Sequence, residues 1–227
     1  MKIVKIVSDQ PLTDFAPTWD ISMGVTVWEE QEKIDAIRNW LIDNEQYIKD
    51  TFAPRHDGGT GLGKDSVTSR FGQYNLFDFS DKMPYLNDLL EFIQKSYIEF
   101  VTAESKKVED LQIISWFNVL HSGQEIKEHN HSDASDSYIS GNVHLDNYQT
   151  GTYYRSPVTS YRASPIRNQK GGCTFFPSYV PHRTDTFETQ HDVRVSIGFD
   201  LRLSNYVNAS ATPRPFMDNN ILKKLNS

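Results

Sequence analysis

Histidines, a carboxylate and an arginine occur at spacings that could build a metal site. His129, His131 and Asp133 stand at alternate positions, and alternate side chains of an extended backbone point to the same face. Because neighbouring imidazoles repel each other when protonated, this convergence favours a bound cation. His182 would add an imidazole from a second segment, and it precedes Arg194 by twelve residues. The alternative is that His129 and His131 are solvated loop residues.

The segment around Arg194 predicts a strand with one packed face and one polar face. Apolar residues alternate from Val193 to Leu201, which places Arg194 and Ser196 together on the opposite face. A guanidinium can hold a carboxylate through two parallel hydrogen bonds, and a hydroxyl can donate another. An ordinary salt bridge with one of the 30 acidic residues is the alternative for Arg194.

The ligand types indicate which metal would bind. Two imidazoles and one carboxylate, with open positions opposite them, are typical of non-haem Fe(II) oxygenases, although zinc also accepts these donors. The pair Arg194 and Ser196 favours iron, since it suits the distal carboxylate of 2-oxoglutarate, whose keto-acid end would chelate the metal. Tyr138, Asn142, His144 and Tyr154 lie on or near predicted strands and are further candidates to line such a cavity.

Two amphipathic helices are predicted ahead of these motifs. Apolar residues recur with helical spacing over residues 29–51 and about 83–106, after a short strand at Lys2–Val7. From residue 111 onward, short strand-like runs alternate with Gly, Pro, Asn and Asp, which predicts an antiparallel sheet or barrel. These strands are expected at Gln112–Leu120, Tyr138–Leu145, Gly172–Phe176 and Val193–Leu201.

We expect one domain over residues 1–227, because all-β barrels of this length commonly form a single unit. Helical support is expected over about 29–106, the β-barrel core over about 111–202 and a C-terminal tail over 203–227. The tail is expected to follow the surface and to end in a short helix.

Composition excludes several classes of function. A net charge of −7 with scattered basic residues argues against nucleic acid and anionic membrane as partners. Cys173 is the sole cysteine, so no intrachain disulfide can form and a reducing compartment is expected. No apolar run has the length of a signal core or a membrane span. We therefore expect a cytoplasmic protein.

A glycine-rich segment at residues 58–65 superficially resembles a phosphate-binding loop. Asp65 stands where that motif needs Ser or Thr after Lys64, and no strand is predicted before the loop. We interpret the segment as a flexible loop over the site.

The motifs taken in order resemble the 2-oxoglutarate- and Fe(II)-dependent oxygenase superfamily, over roughly residues 112–201. The resemblance is strongest to a prolyl-hydroxylase-like group marked by H-x-H, S-G, F-P-S-x-x-x-H and R-x-S. The matching residues are Trp116–Val119, Gly123, His129, His131, Ser140, Gly141, Phe176–Ser178, His182, Arg194 and Ser196. The resemblance implies a double-stranded β-helix, a jelly-roll or cupin-like barrel, mainly β and preceded by two helices. It also implies Fe(II) near the barrel mouth, O2 as co-reactant and conversion of 2-oxoglutarate to succinate and CO2.

Two alternative assignments of the metal ligands, which we call ligand frames, remain open at this point. Superfamily members usually carry His-x-Asp, which fits His131 and Asp133, whereas the narrower group places His129 and His131 there. We prefer His131, Asp133 and His182 as the catalytic metal ligands, because a carboxylate balances part of the Fe(II) charge. His129 is then either outside the ligand set or takes the place of Asp133 in a three-histidine site.

Two other functions compete with the oxygenase interpretation. A cupin-type isomerase or keto-acid-independent dioxygenase would use Gly123, His129, His131, Asp136 and Gly141, without needing the R-x-S pair at the site. A non-catalytic binding module with the same barrel would use neither these metal ligands nor the R-x-S pair. For an oxygenase, the prolyl-hydroxylase-like resemblance indicates oxidation, in the first place hydroxylation, of a peptidyl side chain, with a small molecule as the other substrate class.

Overall fold

The computed structural model describes residues 1–132, 137–157, 165–189, 192–204 and 213–217. Two α-helices lie within these ranges, α1 (Gln31–Thr51) and α2 (Tyr85–Ala103), with 3₁₀ helices at Val67–Arg70 and Leu76–Phe79 between them. The strands are β1 (Lys2–Ile6), β2 (Ile21–Val27), β3 (Leu111–Leu120), β4 (Ile139–His144), β5 (Gly151–Tyr154), β6 (Ile166–Arg167), β7 (Gly172–Pro177), β8 (His182–Thr184), β9 (Arg194–Leu203) and β10 (Arg214–Met217).

The strands form a large and a small antiparallel sheet. The large sheet has the order β1-β2-β7-β4-β9-β3-β10, and the small sheet has the order β6-β5-β8. His129 extends the small sheet, because its main chain exchanges a pair of hydrogen bonds with His182 on β8. Strands that are distant in sequence lie side by side, as they do in jelly rolls. The predicted fold class, a mainly β barrel with flanking helices, is confirmed.

The two helices cover one face of the large sheet. Helix α1 buries Ile34, Ile37 and Leu41, and these side chains share a core with the apolar face of β9. Fully burying such a side chain contributes about 1.5–3 kcal/mol. The alternation predicted for β9 is present: Val195, Ile197, Phe199 and Leu201 face this core, and the residues between them face the barrel interior. The helices thereby fix the strand that carries Arg194.

Several elements differ from the prediction. Strand β2 precedes α1, so the helices do not follow β1 directly. In the tail, residues 214–217 form an edge strand on β3 instead of only following the surface, while the expected final helix lies outside the described residues. Neither described helix combines the length and hydropathy that a membrane crossing requires.

Candidate active site

Three histidines meet inside the barrel and form what we call the histidine cluster. It comprises His129, His131 and His182, each with a potential ligand nitrogen, and these nitrogens all lie within 4.8 Å of one another. The ring centroids of His129 and His182 are 4.4 Å apart, and those of His131 and His182 are 5.1 Å apart. The pairing of His129 with β8 explains this meeting, because antiparallel neighbours bring their side chains close together.

The orientation of each ring leaves one nitrogen available to a metal. In all three rings Nδ1 has a hydrogen-bond partner that can only accept, so Nδ1 carries a proton and Nε2 is the nitrogen that a metal would bind. The acceptors are the main-chain oxygens of Lys127 (2.8 Å) and Val180 (3.1 Å) and a carboxylate oxygen of Asp200 (2.5 Å). Histidines that bind metals commonly show this arrangement.

Burial favours the neutral form of two rings of the cluster, those of His129 and His182. Burial, followed by the neighbouring His131, lowers the pKa of His129 to about 4. Burial also lowers the pKa of His182 well below its ordinary value, with further contributions from the other two rings. Neutral imidazoles at neutral pH are the form that metals bind.

The structure brings His131 and His182 together with His129. Asp133, which completes the preferred sequence-based triad, lies outside the described residues, as does Asp136 of the cupin alternative. Asp133 as a ligand therefore stays a prediction, whereas the described residues already bring together three nitrogens that could bind a metal.

Arg194 and Ser196 line the same cavity as the histidine cluster, in a space of about 360 Å³. Arg194 is only 2% exposed, yet none of its three guanidinium nitrogens has a hydrogen-bond partner among the described residues. Ser196 Oγ has one long contact, in which Asn118 Nδ2 donates over 3.4 Å. An unpaired buried cation is costly, and a carboxylate entering the cavity would remove that cost.

Acidic side chains near Arg194 are engaged elsewhere. Asp146 accepts hydrogen bonds from Arg38 and from the main-chain nitrogen of Val195, and Asp185 accepts one from Gly151 N at 2.9 Å. Burial lowers the pKa of Arg194 to about 10, although the charges of Asp146 and Asp185 act in the opposite direction. Arg194 therefore remains charged at neutral pH without a salt bridge to any described residue, which disfavours the ordinary salt-bridge explanation.

A second buried polar group lies beside this arginine. His144 on β4 pairs with Ser196 on β9, lines the cavity and has an Nδ1 without a partner among the described residues. Burial, followed by the charge of Arg194, lowers the pKa of His144 to about 3. This end of the cavity thus combines a permanent cation with a neutral imidazole.

We expect His144 to make the apoprotein sensitive to acid. The unfolded chain takes up a proton at this side chain below about pH 6.5, whereas the folded chain does not until about pH 3. Stability is therefore lost as the pH falls through this window, by about 1.4 kcal/mol per pH unit from this group. His144→Phe should show a correspondingly smaller loss in urea unfolding between pH 6 and pH 5. Equal slopes for both proteins would contradict the assignment, and the other histidines are common to both.

Two of the four other candidate lining residues are confirmed. Asn142 and His144 line the cavity. Tyr138 instead shares a hydrogen bond with the hydroxyl of Tyr97 at 2.7 Å, and Tyr154 packs behind the cluster, stacked on His182 at 5.7 Å.

Aromatic side chains form the wall beside the cluster. The Trp116 ring lies 5.5 Å from the His131 ring and covers Gly198 so closely that a Cβ there would meet the indole at 2.7 Å. Phe176 contacts His182 from another side, with ring centroids 4.6 Å apart. These rings restrict the orientations of the imidazoles and keep water from their flanks.

The glycine-rich loop reaches the cavity. Asp57, Gly58 and Thr60 line it, and a Cβ at Gly59, which has a φ of 82°, would lie 3.6 Å from Cβ of His129. The carboxylate of Asp57 accepts hydrogen bonds from loop amides at Gly59 and Gly63. The loop therefore lies beside the site, and its predicted flexibility stays a prediction.

One functional candidate, Asp200, was not predicted from the sequence. It lines the cavity and binds His131. Burial would raise the pKa of Asp200, but His131, Arg202 and the Ser140 hydroxyl together lower it. The sequence contained a signal for Asp200, because it lies an even number of positions after Arg194 on β9 and therefore shares its face.

Comparison with known proteins supports the architecture. No protein-family model matches the sequence, and no curated protein matches it. Among solved structures, a Pseudomonas putida prolyl-4-hydroxylase is 12% identical, with a TM-score of 0.52, and the match covers 80% of this chain and 92% of the hydroxylase. The α-ketoglutarate-dependent carbocyclase SnoK from nogalamycin biosynthesis is 13% identical, with a TM-score of 0.53 over 90% of this chain and 85% of SnoK. The chain shares the fold of these two enzymes.

A third solved structure has this fold and a bound metal. HygX from Streptomyces hygroscopicus, with nickel and 2-oxoglutarate bound, is 10% identical, with a TM-score of 0.53 over 82% of this chain and 84% of HygX. Identities this low show a common fold and assign no residue its role. The roles of individual residues here rest on their own geometry.

Proposed function

We propose that this protein is an Fe(II)- and 2-oxoglutarate-dependent oxygenase. One arrangement carries the proposal: the histidine cluster and the unpartnered guanidinium of Arg194 line the same cavity. The first can hold a metal and the second can hold a carboxylate. A keto acid with a distal carboxylate, such as 2-oxoglutarate, offers groups for both.

The residues present fit the metal. His129, His131 and His182 supply nitrogen donors, which suit iron as well as zinc, copper and nickel. Three protein ligands leave coordination positions open for a cosubstrate and O2. The donor set alone does not select iron, so the choice rests on the anion site in the same cavity and on the fold shared with 2-oxoglutarate-dependent enzymes.

The residues present also fit the cosubstrate. Arg194 can donate a bidentate pair of hydrogen bonds to a carboxylate, and Ser196 Oγ can donate another. His144, neutral beside them, adds a further polar contact without opposing charge. The cavity of about 360 Å³ lies within the range of small-molecule sites, about 300–1,000 Å³.

Bound Fe(II), 2-oxoglutarate and O2 would supply the oxidising chemistry, with succinate and CO2 as co-products. The chain contributes position and exclusion of water. The histidine cluster would hold the metal through Nε2, while Arg194 and Ser196 hold the distal carboxylate. Trp116 and Phe176 shield the cluster, so that a substrate C–H bond would be presented in a largely dry site.

For the substrate we propose hydroxylation of a C–H bond, with a peptidyl side chain as the first class to test and small molecules as the second. A solved structure with this fold is a prolyl-4-hydroxylase, which supports the first class. Others are a carbocyclase and an epimerase from nogalamycin biosynthesis, which support the second.

The cupin alternative is less well supported. A keto-acid-independent cupin has no need of a buried, unpaired arginine in the metal cavity, yet Arg194 and Ser196 both line it. A binding module would need neither the arginine nor converging imidazole nitrogens.

Titration calorimetry tests the proposal. We expect 2-oxoglutarate to bind the Ni(II)-loaded protein at least about 10-fold more tightly than the metal-free protein, because the metal adds a contact that Arg194 alone cannot give. Succinate, which lacks the keto group, should gain much less binding affinity when the metal is present. Tight metal binding without any 2-oxoglutarate binding would favour the cupin alternative.

A further inference from the structure

The three described histidines of the candidate metal site supply neutral nitrogen donors and no carboxylate. Two of its three imidazoles donate Nδ1–H to main-chain carbonyls, those of Lys127 and Val180. Only His131 donates to a carboxylate, that of Asp200, at 2.5 Å. The cluster is therefore asymmetric, with one ligand hydrogen-bonded to an anion.

We propose that Asp200 supplies the negative charge of the metal centre through His131 and acts as a positioning residue for that ligand. Hydrogen bonding to a carboxylate gives an imidazole partial imidazolate character and makes its other nitrogen a stronger donor. The proposal rests on the proposed function, because it takes the histidine cluster to be the metal site.

The carboxylate is held firmly enough for this role. Asp200 is 7% exposed, and Ser140, its neighbour across β4 and β9, donates its hydroxyl to the same carboxylate oxygen at 2.7 Å. Ser140 Oγ is also within 2.9 Å of Ser178 Oγ. The Trp116 ring borders the His131 ring. Both partners of the hydrogen bond are thus fixed in relative orientation.

A purely structural role explains Asp200 less well. A main-chain carbonyl orients the other two rings, so orientation alone does not require an anion. Burying a carboxylate is costly unless a cation compensates it. Arg202 provides only a long ion pair, with 3.6 Å between Nη2 and the second carboxylate oxygen. A metal ion on the far side of His131 would supply the remaining compensation.

The test is the metal affinity of Asp200→Asn, measured by calorimetry with Ni(II) and Co(II) on the metal-free protein. Asparagine keeps the shape and an accepting oxygen but removes the charge. We expect affinity to fall by about 10–100-fold, the usual effect of losing such a partner. Asp57→Asn is the matched control, because this carboxylate lines the same cavity and acts on His129 through its charge, but its described hydrogen bonds are to loop amides. Its metal affinity should stay within about threefold of the wild type.

A second readout separates charge from structure. Loss of the anion should raise the Fe(III)/Fe(II) midpoint potential of Asp200→Asn, because negative charge stabilises the higher oxidation state, whereas Asp57→Asn should leave it near the wild-type value. Circular dichroism and thermal unfolding of the metal-free variants check the fold. If asparagine is not tolerated, Asp200→Ser removes the same charge in a smaller side chain and carries the same expectations.

The outcomes separate this inference from the proposed function. If the wild type binds metal and 2-oxoglutarate but folded Asp200→Asn keeps both its metal affinity and its potential, the role of Asp200 is overturned and the oxygenase proposal stands. If the wild type binds no metal, both fail. If Asp57→Asn lowers metal affinity as much as Asp200→Asn, the effect comes from the total negative charge in the cavity. The proposal that Asp200 acts through His131 is then wrong.

Discussion

Arg194→Met should abolish 2-oxoglutarate binding and, at the same time, stabilise the ligand-free protein. The guanidinium is almost fully buried and has no hydrogen-bond partner among the described residues, so the folded state bears the cost of an unpaired charge. Methionine fills similar space without that cost. We expect 2-oxoglutarate affinity to fall about 100-fold or more, which corresponds to ~3 kcal/mol, and the thermal midpoint of the apoprotein to rise.

The control for this prediction is Arg183, which lies on β8 of the small sheet. Arg183→Met alters a side chain that lies over the Tyr153 ring on the neighbouring strand, and it should change neither property. Metal affinity should survive in both variants, because Arg194 does not belong to the histidine cluster. Loss of stability in Arg194→Met with unchanged 2-oxoglutarate binding would mean that the arginine serves the fold.

His129→Ala should strip the metal, whereas Asp133→Ala should leave it in place. The main chain of His129 is paired with that of His182 and its ring belongs to the histidine cluster, so this change eliminates one of the three proposed ligands. We expect metal affinity to fall at least about 100-fold, beyond the usual effect of losing an outer-shell partner. Calorimetry with Ni(II) on the metal-free variants measures both effects.

The same pair of variants decides between the two ligand frames. If Asp133→Ala strips the metal and His129→Ala keeps it within about threefold, the ligands are His131, Asp133 and His182, as the sequence alone favours. His121→Ala, which removes an exposed histidine, controls for nonspecific loss of imidazole binding.

Strand periodicity predicted the shared face of Arg194 and Ser196 because it is a local property. Alternation along β9 places Arg194 and Ser196 on one face whatever the remainder of the chain does. The helices were found for the same reason, since each carries its own apolar stripe. Strands β5 and β8 were missed, because they have four and three residues, too few for a period to show.

Long-range pairing decided the rest of the site. His129 reaches the cluster through its bridge to His182, and the sequence around His129 does not predict that pairing. Asp200 stands 69 residues from His131 in the chain. Its even spacing from Arg194 indicates the face it occupies. Only the register between β4 and β9 places it beside Ser140 and the cluster.

Anaerobic titration of 2-oxoglutarate into the Fe(II)-loaded protein tests the central claim most directly. A keto acid chelating Fe(II) produces a visible metal-to-ligand charge-transfer band, so we expect a saturable band in the wild type. The band should be lost in Arg194→Met at the same 2-oxoglutarate concentrations. Fe(II) binding without any band, even at a large excess of 2-oxoglutarate, would contradict the proposal.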